Sequence, residues 1–281
     1  MITTLKLWCS TLRSTVTNIG ALTVFIMLYA LLMTTFFRFI WIREATVWQV
    51  VWTYTFMILI PAEFFIFQAA IIDRVRDQKF RWGVILVDAL KFFLATIPVL
   101  LLGWLIHYLL NKLQLRYPAP IIVSPNLAAG PPKSQPAHWP TLLIASLRFL
   151  LIGIALPLTA IHLWIALAGG EMRAWFAGGA KGLFKRIGST VARGFGFESV
   201  FIQGLGLILW LIVPWIILGV LFSPKGYKAS LALIVGQIAL AFIFNFFGWV
   251  LTISALTRNA SEPPPQPAPD RTPAVAMEAA A

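Results

Sequence analysis

Four residues combine ionisable chemistry with long apolar surroundings: Glu63, Asp88, Lys91 and Arg148. A charged side chain at the centre of a bilayer costs roughly 2.5 to 3.5 kcal/mol on insertion scales, so each such group needs a partner or an exit. Glu63 and Lys91 both stand 14 positions from Asp77, near the middle of the polar turn between them. At about 1.5 Å per residue the two reach similar depth in a helical hairpin. Asp88 lies three residues before Lys91 and so on the same helix face. The spacing predicts a cluster of Asp88, Lys91 and Glu63, to which two chemistries fit. As a functional group, Glu63 is a protonatable relay or ion ligand of the kind secondary transporters use. As a structural group it fixes helix packing, while Asp88 and Lys91 reach back to the interface. The structural reading is preferred. Arg148 has no acid at matching depth and is expected to extend to the outer interface rather than to hold an anionic solute.

Other chemistry is scarce. His162, Gln237 and Asn245 are the remaining polar groups that stand out deep in apolar sequence. A lone histidine among helices usually hydrogen-bonds a neighbour, and with no second histidine or carboxylate nearby no metal site is expected. The single cysteine, Cys9, excludes an intramolecular disulfide. The sequence has no H-E-x-x-H, G-x-S-x-G or G-x-x-x-x-G-K-[ST] motif. Gly194-x-Gly196 and Gly204-x-Gly206 lack the third glycine of a dinucleotide loop. Neither enzymatic activity nor a cofactor is expected, and no catalytic residue is assigned.

The elements that must position these groups follow from composition. Of 281 residues 59% are hydrophobic and only 11% charged, against about 25% charged in a soluble domain. Lipid is the expected solvent. About 20 predominantly apolar residues cross a bilayer as a helix, and six runs qualify: 19–41, 46–72, 84–110, 141–168, 200–222 and 231–256. The expected fold is an all-α, polytopic six-helix transmembrane bundle. The first run is too long, and too aromatic at its end, for a cleaved signal peptide, so it reads as a retained helix. With the N-terminus inside, the inner segments hold 13 Lys and Arg and the outer segments 7. This bias predicts cytoplasmic N- and C-termini in an inner membrane. The net charge of +12 then reflects topology and attraction to anionic lipid headgroups, and calls for no nucleic-acid partner.

Around the spans, residues 1–18 read as a basic amphipathic N-terminus, 111–140 as a proline-rich extended linker, and 257–281 as a disordered Pro/Ala-rich tail. Met172, Trp175, Phe176, Leu183 and Ile187 share one helical face opposite Lys181 and Lys185, which predicts a cytoplasmic interfacial amphipathic helix. Its glycines, such as Gly182 and Gly188, weaken that helix. Pro61, Pro98, Pro157 and Pro214 fall near the middles of four spans. Each removes a backbone hydrogen bond, so four kinks at similar depth predict a bundle bowed around a crevice. The shared Pro-x4-Gly spacing of Pro98 to Gly103 and Pro214 to Gly219 hints at a repeat relating the second and third spans to the fourth and fifth.

This layout resembles poorly characterised bacterial six-helix membrane families, specifically the membrane region attached to some glycerophosphodiester phosphodiesterases and related envelope-stress membrane proteins. The similar features are the basic N-terminus, the charged turn from Arg74 to Lys91, and the Gly-rich basic segment from Gly169 to Gly196. No phosphodiesterase domain is present, so the resemblance implies no catalytic residue. It implies a scaffold, accessory subunit or envelope-maintenance factor, with other membrane subunits as partners. The alternative is a transporter or channel for a small solute, ion or lipid that uses the Glu63/Lys91 pair.

Overall fold

The computed structural model describes residues 2–43, 46–117, 138–168, 170, 179–220 and 226–261. Eight helices make up most of it: α1 (Ile2–Thr17), α2 (Ile19–Ile40), α3 (Val47–Asp77), α4 (Trp82–Arg116), α5 (Trp139–Leu167), α6 (Gly179–Gly194), α7 (Phe197–Gly219) and α8 (Tyr227–Ser261). Six of these, α2 to α5 with α7 and α8, are long and apolar enough to cross a membrane. The chain is an all-α, multi-pass membrane bundle with no strand among the described residues.

Local chemistry sets the helix ends. The Asn18 side chain accepts the Ala21 N–H at 3.0 Å to start α2, and Thr46 with Gln49 forms a reciprocal capping box at the start of α3. The turn from α3 to α4 closes when Gln78 takes a left-handed conformation (φ 58°). Arg81 then donates both its backbone N–H and its guanidinium to Asp73 at 3.1 Å and also pairs with Asp77.

Packing is asymmetric along the bundle. No residue of α3 from Val47 to Ala62 is buried, whereas Phe65 and all of Phe67 to Asp73 are. In α8 nothing is buried from Tyr227 to Leu240, and everything is from Val250 to Thr257. The core therefore sits toward the end that carries α1, where Ile71, Ile85, Phe92, Ile161, Ile202 and Ile253 are fully enclosed. Two glycines set its tightest crossing. A Cβ on Gly248 would fall 2.7 Å from the Trp210 backbone nitrogen, and one on Gly206 would fall 2.8 Å from Thr252 Cγ2. Small residues at these points let α7 and α8 approach closely.

The prolines divide into two kinds. Pro61 and Pro98 lie within continuous α-helix. Pro157 and Pro214 each follow a stretch wound as π-helix, Phe149–Ala155 and Ile208–Ile212. The wider turn moves the carbonyl four residues back away from the proline ring, which would otherwise clash with it. This local geometry is shared by α5 and α7.

Several boundaries differ from expectation. Helix α3 runs on to Asp77, and α4 covers Trp82–Arg116, because charged residues at the interface remain helical. Helix α8 continues to Ser261, so residues 257–261 belong to it rather than to the tail. Thr257 is buried there, and Arg258 donates to Thr11 and Ser14 of α1. The basic N-terminus is thus a docked helix, with Thr4, Trp8 and Thr11 buried. The interfacial helix is α6, which starts at Gly179. Lys181 and Lys185 are exposed, and Ile187 packs on the core. Met172, Trp175 and Phe176, the side chain of Leu183, most of the proline-rich linker (118–137) and the rest of the tail (262–281) lie outside the described residues.

Candidate functional site

Where α2, α3, α7 and α8 part, on the side of the core away from α1, they enclose a cleft of about 790 Å³. Pro61 and Pro214 both line it, joined by Leu32, Phe64, Leu218 and Ala241. Phe36, Leu218, Ile238 and Phe242 line it and are also exposed, so the cleft opens on the outer surface of the bundle. Pro98 and Pro157 take no part in it. The expected crevice therefore forms beside two of the four prolines.

The polar lining of the cleft is Tyr29 and Asn245, and both are hydrogen-bonded internally. Pro214 has no N–H to offer the carbonyl of Trp210, four residues back. Asn245 Nδ2 donates to that carbonyl at 2.9 Å, while Tyr29 Oη donates to Asn245 Oδ1 at 2.9 Å. One residue of α8 thus repairs the proline break in α7 and ties α2 to both. Gln237 Nε2 similarly donates to the carbonyls of Ile217 and Val220 at the end of α7, each at 2.9 Å. Pro214 was the available signal in the sequence, since it announces a carbonyl in need of a donor, and Asn245 and Gln237 are amides within reach. Tyr29 and Thr35 carried no comparable signal.

The expected Glu63–Lys91 pair does not form. Lys91 Nζ donates to Asp88 Oδ1 at 2.7 Å and to the Gly170 carbonyl at 3.1 Å, while Glu63 Oε1 accepts from Thr35 Oγ1 at 3.0 Å. The cause is rotation about the helix axis. Successive helical residues point about 100° apart, and the faces that meet across the α3–α4 groove are Ala62, Phe65 and Ile66 against Ala89, Leu90 and Phe93. Glu63 is turned to α2 and Lys91 to the end of α5. Arg76 joins Lys91 there and donates to the carbonyls of Ile165 and Ala168. Two cations on the carbonyl-rich end of a helix also suit its dipole. Glu63 is only 7% exposed, and its Oε2 has no hydrogen-bond partner among the described residues. Its neighbour Phe64 lines the cleft, but Glu63 itself does not.

Arg148 is not alone. Its Nη2 donates to Asn111 Oδ1 at 2.8 Å and to Gln114 Oε1 at 3.1 Å, clamping α5 to the last turns of α4 at the end away from α1. His162 is a packing residue. Its Nδ1 stands 2.9 Å from the Leu158 carbonyl, which can only accept, so Nδ1 carries the proton and Nε2 accepts from Ser199 at 3.3 Å. Asn259 donates to the same Ser199 hydroxyl, and Gly194 lies against the imidazole, where a Cβ would fall 3.0 Å from the ring. Four helices meet at this buried contact. Among the described residues no three His, Cys, Asp or Glu side chains are grouped to hold a metal.

No family model, curated protein or solved structure matches the chain. Fold and cleft define its class: a multi-pass membrane protein with an apolar cleft at membrane depth. If Asn245 carries the floor of that cleft, Asn245→Leu should cost about 1–2 kcal/mol by orphaning the Trp210 carbonyl and the Tyr29 hydroxyl. Tyr29→Phe should cost less, and the two losses should combine with a coupling of about 0.5 kcal/mol or more. A thermal-melting double-mutant cycle in detergent measures this, and strict additivity would dismiss the link.

Proposed function

We propose that this protein is a non-catalytic component of a bacterial inner membrane that holds an apolar or amphipathic molecule in its cleft. In that capacity it works as a scaffold, accessory subunit or envelope-maintenance factor. The observation that carries this reading is the cleft. Its 790 Å³ falls in the roughly 300–1,000 Å³ range of ligand pockets. Its walls are hydrocarbon, and its two polar residues are already bonded to each other and to backbone. An ion or polar solute finds few free donors or acceptors there, whereas a hydrocarbon chain loses nothing on entering. The layout resemblance to envelope-associated membrane regions agrees with service to lipid. Both termini are cytoplasmic in this proposal, and exposed Lys181, Lys185 and Arg186 on α6 meet anionic headgroups at that face.

The test is retention. Full-length protein purified in mild detergent should carry at least one lipid-sized adduct in native mass spectrometry. Ala241→Trp, which fills the cleft, should lose the adduct while keeping its melting temperature, with Leu218→Trp as a second occlusion should the first not fold. Bare protein in the wild type would remove the reading.

A second reading, transport coupled to protonation of Glu63, draws support from one observation: a nearly buried carboxylate with one unpartnered oxygen next to the cleft wall. It needs no pairing with Lys91. Proteoliposomes under a pH gradient should then move solute or lipid, and Glu63→Gln should abolish the movement; undiminished transport in that variant rules out the role for Glu63.

A further inference from the structure

The cleft does not end in bare hydrocarbon. One helical turn beyond its last lining residues on α2 and α3, Phe36 and Ile60, a second cavity of about 360 Å³ lies between the same two helices, lined in part by Arg38, Trp41, Arg43 and Trp52. The α3 wall runs on from one cavity to the other, since Phe56, which lines the upper cavity, lies one turn from Ile60 on the same face. On α2 the lining of the upper cavity starts at Arg38, two residues past Phe36. The upper cavity sits where α2 ends, at Ile40, and just inside the start of α3, at Val47. Helix ends with paired tryptophans mark the headgroup level of a bilayer, because the indole is apolar with one polar edge. Both arginines are exposed, and neither has an ion pair or side-chain hydrogen bond among the described residues. A guanidinium at headgroup depth offers a planar fork of donors that matches two phosphate oxygens.

We infer that the two cavities form one site for an anionic glycerophospholipid, its acyl chain in the 790 Å³ cleft and its phosphate on Arg38 and Arg43. This rests on the cleft reading above and adds the headgroup. Charge complementarity selects this occupant. A neutral hydrocarbon leaves both guanidinium groups unused, and a water-soluble phosphate leaves the cleft unused. A lipid from the same leaflet engages both, its chain entering through the open side of the cleft and its headgroup lying at the level of the helix end that carries the arginines.

The experiment is a native mass-spectrometry titration of the full-length, delipidated protein with dioleoylphosphatidylglycerol and, separately, dioleoylphosphatidylcholine. The glycerol lipid should bind about tenfold more tightly than the choline lipid. Arg38→Gln combined with Arg43→Gln should remove that preference while leaving choline-lipid binding unchanged. Ala241→Trp should weaken both lipids alike. Arg38→Lys with Arg43→Lys keeps the charge without the fork, so partial recovery of the preference is expected. Equal binding of the two lipids by the wild type overturns the headgroup assignment and leaves the cleft reading standing. Binding of neither overturns both. A preference that survives the double glutamine variant also overturns the assignment, since the selectivity then comes from elsewhere.

Discussion

Hydrocarbon offers no solvent to a backbone group that has lost its partner, and Pro214 creates such a group at the Trp210 carbonyl. Asn245 answers it from α8, and the arrangement around the cleft follows from that answer. The amide holds α8 close to the π-wound stretch of α7, where Gly248 already allows the Trp210 backbone to approach. Its carbonyl oxygen is left to accept from Tyr29, which brings α2 to the same point. Beyond Asn245 toward the start of α8, Gln237 donates to the end of α7. Past the Tyr29–Asn245 junction α2 and α3 are free to stand apart from α7 and α8, and the cleft occupies the space.

The asymmetry of the bundle has the same physical root. Between membrane helices there is no hydrophobic drive, because lipid tails are as apolar as leucine, so helices associate where small residues and hydrogen bonds hold them. Those contacts cluster at the end that carries α1. They include Trp164 to Thr96 and Trp249 to Gln68, both at 2.9 Å, the His162–Ser199–Asn259 contact, and the cations that close the end of α5. At the opposite end Val47 to Ala62 of α3 and Tyr227 to Leu240 of α8 contribute no buried residue. Arg148 alone ties α4 to α5 there with a charged group. The result is a packed base from which α2, α3, α7 and α8 splay toward one leaflet, with the apolar cleft between them.

Hydropathy made the six helices legible, since a run of uncharged residues bounded by charge is a one-dimensional signal. Azimuth was not legible. Counting from a turn estimates depth, and on depth Glu63 and Lys91 were reasonable partners. Which way each points depends on which faces the neighbouring helices occupy, and that is a property of the whole bundle. Asp88 and Lys91 were correctly placed on one face because both belong to one helix, where the 3.6-residue period applies directly. The prolines were visible, and so was their need for a donor. The π-winding that separates Pro157 and Pro214 from Pro61 and Pro98 has no local sequence mark, because it depends on how neighbouring helices accommodate each bend. The cleft was foreseen only as a crevice beside kinks; its walls required the helices to be set against one another.

In this arrangement the half of the bundle away from α1 is open to hydrocarbon and closed to water. Power-saturation electron paramagnetic resonance tests it directly, with a nitroxide placed at Met33 or Phe242 in a Cys9→Ser background and the protein held in lipid nanodiscs. Both positions line the cleft, so the label should collide readily with dissolved oxygen and scarcely with a water-soluble nickel chelate. Dominant nickel collisions would mean an aqueous vestibule, and silence toward both reagents would mean closed packing. Either result would exclude a cleft open to hydrocarbon and closed to water.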